Sequence, residues 1–72
     1  MNKNITGENI KRIRIAHGLT QEQLTARLHV LGINLGRSSV AKIESGTRPV
    51  FDYQVEGFAN ALNVDIKVLF KK

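Results

Sequence analysis

Apolar residues recur along this chain at the three- and four-residue intervals of an α-helix, and nowhere at the alternation of a strand. Ile10, Ile13 and His17 share one face of a first helix, with Arg14 beside them and Lys11, Arg12 and Ile15 turned elsewhere. Thr6 stands where that helix needs a cap, Glu8 suits its positive end, and Gly18 closes it. Residues 1–5 read as a loose tail whose Ile5 staples onto the first turn. Thr20-Gln21-Glu22-Gln23 is a capping-box pattern. Leu24, Leu28 and Leu31 then run down one face as far as Gly32, with Ala26 and Arg27 outside. A third helix is expected from Arg37 to Ser45, with Gly36 at its cap and Gly46 as a left-handed stop.

Thr47-Arg48-Pro49-Val50 reads as an extended loop, because proline disfavours helix in the residue before it. Asp52 is placed to cap a fourth helix. Its stripe is Val55, Phe58, Ala59 and Leu62, with Tyr53, Gln54, Glu56 and Asn60 toward solvent. Gly57 inside that helix costs about 1 kcal/mol relative to Ala and so marks a close helix contact. Asn63 is a left-handed C-cap, and Asp65 caps a last short helix, Ile66 to Phe70. Its Ile66, Leu69 and Phe70 are expected to seal the core. The pattern predicts an all-α fold of five short helices in a single domain, with its core over roughly residues 5–70.

The third helix is the unusual one. Successive side chains step by about 100° around a helix. Val40 and Ile43 therefore lie on one side, flanked by Ser39 and Glu44. Arg37, Ser38, Ala41, Lys42 and Ser45 cover the other side, an arc of about 140° that carries only positive charge and small residues. Small side chains let a helix backbone approach a surface closely while the two cations reach past it. Such a helix suits the major groove of DNA, which is wide enough to admit it. Polar outer faces are usually just solvated, so the arc alone does not decide; what surrounds it does.

Seventy-two residues make one small domain. Cysteine is absent, and His17 and His29 are too few and too far apart for a metal centre. No apolar run approaches the ~20 residues that span a bilayer, and the N-terminus lacks the apolar block of a signal peptide, so a soluble, cytoplasmic protein is expected. Eleven Lys and Arg against six Asp and Glu give a net charge of +5, which favours a polyanionic partner. With no nucleophile–base pair, phosphate-cradling glycine loop or metal-ligand spacing, neither enzymatic activity nor a cofactor is expected. The basic residues do not gather opposite aromatics, which argues against a membrane surface.

Gly18-Leu19-Thr20-Gln21, Leu24, and Ile43-Glu44-Ser45-Gly46 with Arg48-Pro49, in that order, resemble the helix-turn-helix domains of phage repressors and Cro-type regulators, the xenobiotic-response-element family. Ala59-x-x-Leu62-Asn63-Val64-Asp65 through Leu69-Phe70 looks like that family's final two helices. The resemblance implies that the helix opening at Thr20-Gln21 crosses the phosphate backbone and that the helix at 37–45 enters the major groove. It also implies that Arg14 pairs with Glu44. One departure stands out: the eight residues His29 to Gly36 make an enlarged corner between the two helices, expected to lengthen the second helix and to alter how the third approaches DNA.

On this basis Arg37, Ser38, Ala41 and Lys42 are the expected base-reading residues. Arg37 suits guanine O6 and N7, Lys42 a guanine or a phosphate, Ser38 either, and Ala41 a thymine methyl. Thr20 and Gln21, at the positive end of the second helix, are expected to clasp a phosphate. Thr47 and Arg48 are expected at the next phosphate. Ser39 either turns inward or joins these backbone contacts. Lys3, Lys11, Arg12, Arg27, Lys67, Lys71 and Lys72 read as solubility charges. The expected function is a sequence-specific DNA-binding regulator of transcription, a repressor on a palindromic operator of double-stranded DNA. A homodimer is expected, at least on DNA, with Val50, Phe51, Val64 and Val68 as interface candidates. No second domain that would sense a ligand is expected, and hence no small-molecule effector. The alternative is an antitoxin-like or anti-regulator protein-interaction module on the same scaffold.

Overall fold

A computed structural model of the chain describes residues 4–71. Four α-helices follow one another: α1 (Gly7–Ala16), α2 (Gln21–Val30), α3 (Arg37–Glu44) and α4 (Asp52–Leu62). A 3-10 turn, Ile66–Phe70, closes the chain, and no strand occurs among the described residues. α1 packs on α3, α4 and the closing turn, while α2 packs on α3 and α4. Their shared centre is aliphatic, with one aromatic: Ile10, Leu24, Leu28, Val40, Ile43, Phe58, Leu62 and Leu69 are completely buried. Each such side chain contributes about 1.5–3 kcal/mol by leaving water, and with no disulfide this core carries the stability.

The predicted helix ends have local causes. Gly18, Gly32 and Gly46 all take positive φ (71°, 82° and 78°), and Asn63 is left-handed at φ 57°. At α2 the capping box is complete: Thr20 Oγ1 accepts the Gln23 N–H at 3.0 Å, and Gln23 Oε1 accepts the Thr20 N–H at 2.8 Å. The last element is the exception in type. Five residues are too few to nucleate a stable α-helix, and the segment tightens into 3-10 geometry. Asp65 caps it by accepting the Lys67 N–H at 2.9 Å. Only Leu69 goes deep; Ile66 and Phe70 stay at the rim and do not seal the core.

Other expectations are corrected. Thr6 sits at the N-cap of α1 in helical rather than extended backbone and makes no capping bond. Asn4 Oδ1 takes the Gly7 N–H instead, at 2.8 Å, so the chain is already anchored at Asn4. Ile5 is exposed and staples nothing. His17, at the C-cap of α1, is exposed rather than packed, because the helix turns off at Ala16. Leu31 is exposed because α2 ends at Val30 and the turn at Gly32 carries the chain away; Leu35 fills the core in its place. Asp52 is the first residue of α4 rather than its cap. Gln54 is buried, not solvent-facing: its Oε1 reaches back to accept the Phe51 N–H at 3.0 Å. Lys3 and Lys72 lie outside the described residues.

Candidate nucleic-acid interface

α3 is held from behind. Val40 and Ile43 are fully buried, and Glu44 is buried with them. Arg14 meets Glu44 through two parallel bonds, Nε to Oε2 at 2.7 Å and Nη2 to Oε1 at 3.0 Å. Its Nη1 donates to the Leu19 carbonyl at 2.7 Å, and Gln21 Nε2 donates to Glu44 Oε1 at 3.1 Å. One carboxylate thus gathers α1, the start of α2 and the end of α3. The two charged side chains keep only 10% and 2% of their surface in water. At the far end Gly7 brings α1 directly against the C-terminus of α3: a Cβ on Gly7 would lie 2.0 Å from the Ile43 carbonyl oxygen.

In front, the helix is open. Arg37, Ser38 and Lys42 are exposed and Ala41 is half-buried between them. Among the described residues no hydrogen bond or ion pair engages the Arg37, Ser38 or Lys42 side chains. Arg37 also lines an open cleft with Thr20, Gln21 and Glu22, so the start of α3 and the start of α2 face the same space. The capping box uses the amides of Thr20 and Gln23, leaving those of Gln21 and Glu22 at the positive helix end. Ser45 falls just past α3, its Oγ donating to the Lys42 carbonyl at 3.0 Å, and so leaves the outer arc.

The proposed phosphate contacts divide. Thr20 is exposed, whereas Gln21 is half-buried with its amide committed to Glu44. Ser39 and Arg48 meet each other: Arg48 Nη1 donates to Ser39 Oγ at 2.7 Å. Thr47 folds back on α3, its Oγ1 lying 3.2 Å from the Lys42 carbonyl oxygen and 2.9 Å from Ser45 Oγ, whose own proton goes to that carbonyl. Of the dimer candidates, Val50, Val64 and Val68 are half-buried against the core, while Phe51 is exposed and stacked on Tyr53 at 6.2 Å.

The enlarged corner is ordered by its own bonds. Only His29 and Val30 extend α2; residues 31–36 form the connection. The His29 Nε2–H donates to the Leu35 carbonyl at 2.7 Å, and the Ile33 N–H to the Leu28 carbonyl at 2.9 Å. Ile33 then rests on Gly57, where a Cβ would come within 2.7 Å of Ile33 Cγ1. The close contact marked by Gly57 is therefore with the corner, not with another helix.

Four residues not read from the sequence as structural hold the fold around the site, and one of them, Asn4, touches α3 itself. Asn4 Nδ2 donates to the Ile43 carbonyl at 2.7 Å and the Arg48 carbonyl at 3.0 Å. Asn9, also buried, donates to the carbonyls of Leu69 and Lys71 and ties α1 to the closing turn. Arg27, read as a solubility charge, donates to the Ala61 carbonyl at 3.1 Å at the negative end of α4. Arg12, read likewise, donates to Asn9 Oδ1. Asparagines flanking a helix start were the one local signal for Asn4; the partners of the others are remote in sequence.

No helix among the described residues is long and apolar enough to cross a membrane. The family model described as a helix-turn-helix domain matches residues 7–69. Among solved structures, the chain is similar to the crystal structure of the restriction-modification controller protein C.AhdI from Aeromonas hydrophila. The two share 31% identity, with 94% of this chain and 96% of that one covered, at a TM-score of 0.81. Comparison with curated proteins finds no match.

Proposed function

The chain belongs to the helix-turn-helix domain family, and from that premise we propose that it regulates transcription by binding double-stranded DNA sequence-specifically, with α3 in the major groove. The observation that carries this reading is the two-sided character of α3. Its rear is seated by Val40, Ile43 and the Glu44 ion pair, and its front presents Arg37, Ser38 and Lys42 unengaged. A rigidly backed helix presents its donors without first having to order itself, which lowers the cost of association. The net charge of +5 and the likeness to a controller protein support the same reading.

In this reading Arg37, Ser38, Ala41 and Lys42 face base edges. Thr20 and the amides after it, with Ser39, Thr47 and Arg48, approach phosphates, and Gln21 does so on release from Glu44. The protein acts without catalysis, in the cytoplasm on the nucleoid, as a repressor occupying its operator and without a small-molecule effector. A domain of this size reads few base pairs, so it binds as a homodimer on a palindrome whose half-sites lie about 34–36 Å apart. Exposed Phe51 is the foremost candidate for the dimer contact.

Selection of bound sites from a random duplex pool tests the reading. A palindromic consensus is expected, with affinity falling steeply as salt rises. Failure to enrich any sequence, together with a stoichiometric protein complex that survives high salt, would replace it with the protein-interaction alternative.

A further inference from the structure

Asn4 is 4% exposed and touches three parts of the molecule with one amide. Its Oδ1 accepts the Gly7 N–H at the start of α1. Its Nδ2 donates to the Ile43 carbonyl in the last turn of α3 and to the Arg48 carbonyl in the loop beyond. An N–H faces one end of the amide and two carbonyls face the other, so only one orientation satisfies the set. The loop between Ile43 and Arg48 is thereby clasped across its base.

Arg48 is constrained at both ends. Its carbonyl is held by Asn4, and its position before Pro49 restricts its backbone to extended conformations. Its guanidinium is steered onto α3 by the Nη1 bond to Ser39 Oγ. That bond uses one of five N–H donors, and among the described residues no other hydrogen bond engages the group. An arginine fixed in this way, with donors to spare beside a groove-reading helix, is prepared for an anion.

We infer that Asn4 is a positioning residue for DNA binding: through its bonds to the Ile43 and Arg48 carbonyls it sets where the loop after α3 presents Arg48 to the phosphate backbone. This rests on the DNA-binding reading above. The competing explanation is that Asn4 only caps α1, and the two separate cleanly. Asn4→Asp keeps an acceptor for the Gly7 N–H but loses both N–H donors and sets a carboxylate against two carbonyls. The added negative charge of Asn4→Asp weakens DNA binding by itself, so a capping role predicts the same loss with or without Arg48, whereas a positioning role predicts a loss that largely disappears in the Arg48→Ala background.

The test is binding of the full chain to a fluorescent mixed-sequence DNA duplex, which reads phosphate contacts without requiring the operator. Circular dichroism confirms that each variant is folded at the assay temperature. Asn4→Ala and Asn4→Asp should each weaken binding about three- to tenfold, the loss of roughly one net hydrogen bond, with a shallower salt dependence. In an Arg48→Ala background the Asn4 substitutions should add less than about twofold, because the contact they position is already gone. If Asn4→Ala does not fold, Asn4→Asp, which retains the cap, carries the test. Wild-type affinity in Asn4→Asp, or losses that multiply with that of Arg48→Ala as a general charge effect would, overturns the inference. Absence of salt-dependent binding by the wild type instead sinks the DNA-binding reading itself, and the inference with it.

Discussion

Glu44 is where the fold is most exposed to a single change. Replacing it with Leu removes the acceptor of three bonds: two from Arg14 at 2.7 and 3.0 Å, and one from Gln21 at 3.1 Å. Gln21 is half-buried and regains water, but Arg14 keeps only 10% of its side-chain surface exposed. Its charge is stranded, at a cost of about 3–5 kcal/mol. A domain of this size has a stability on the order of 5 kcal/mol, and each kcal/mol moves its Tm by about 4–8 °C. Glu44→Leu should therefore melt tens of degrees lower or be unfolded at room temperature. Arg14→Met should also destabilise, though by less, since the carboxylate it leaves is 2% exposed but keeps the Gln21 bond at 3.1 Å. The double variant should recover most of the loss, because two apolar side chains of similar volume leave no buried charge. Urea denaturation of all four proteins gives the coupling energy. If the double variant loses as much as the two single variants together, or if either single change costs under about 1 kcal/mol, the reasoning from burial is refuted.

Further outcomes are expected elsewhere in the molecule. Arg37→Ala should cost about 1–3 kcal/mol on the selected operator and relax its sequence preference, whereas Arg48→Ala should weaken all duplexes alike; titrations on matched and scrambled sites separate the two. Gly7→Ala should destabilise more than Gly57→Ala in thermal melts. The first Cβ meets a backbone carbonyl at 2.0 Å, while the second meets a side chain at 2.7 Å that yields, and gains about 1 kcal/mol of helix propensity. Leu69→Ala should cost about 2–5 kcal/mol, and Phe70→Ala, at the rim, under about 1 kcal/mol by the same denaturation assay.

Helix positions and stops were legible because their causes are local. Apolar spacing marked the inner faces of α1 to α4, and Gly18, Gly32, Gly46 and Asn63 do take the left-handed conformations their residue types favour. The split of α3 into a buried and an open side also followed from periodicity, since Val40 and Ile43 sit opposite Arg37 and Lys42. What escaped was decided at a distance. Asn4, not Thr6, caps α1, because its amide is held by carbonyls about forty positions further along. Ser39, Gln21 and Arg48 are as hydrophilic as any free surface group, and nothing in their spacing discloses that Ser39 bonds Arg48 or that Gln21 bonds Glu44. Leu31 and Phe70 are as apolar as Leu28 and Leu69; only the turn at Gly32 and the 3-10 winding leave the first pair in water.

The seat of Ile33 on Gly57 has a consequence for how such a chain tolerates change in length. The corner works as a peg in a notch: its added residues are moored to α4 rather than left as slack between the two helices they join. Trimming it to a tighter bend would pull the peg and leave α4 with an unfilled hollow at its waist, while a residue much larger than alanine at position 57 would push the peg out. A large side chain at 57 and the span of the corner are thus one trait, to be altered together.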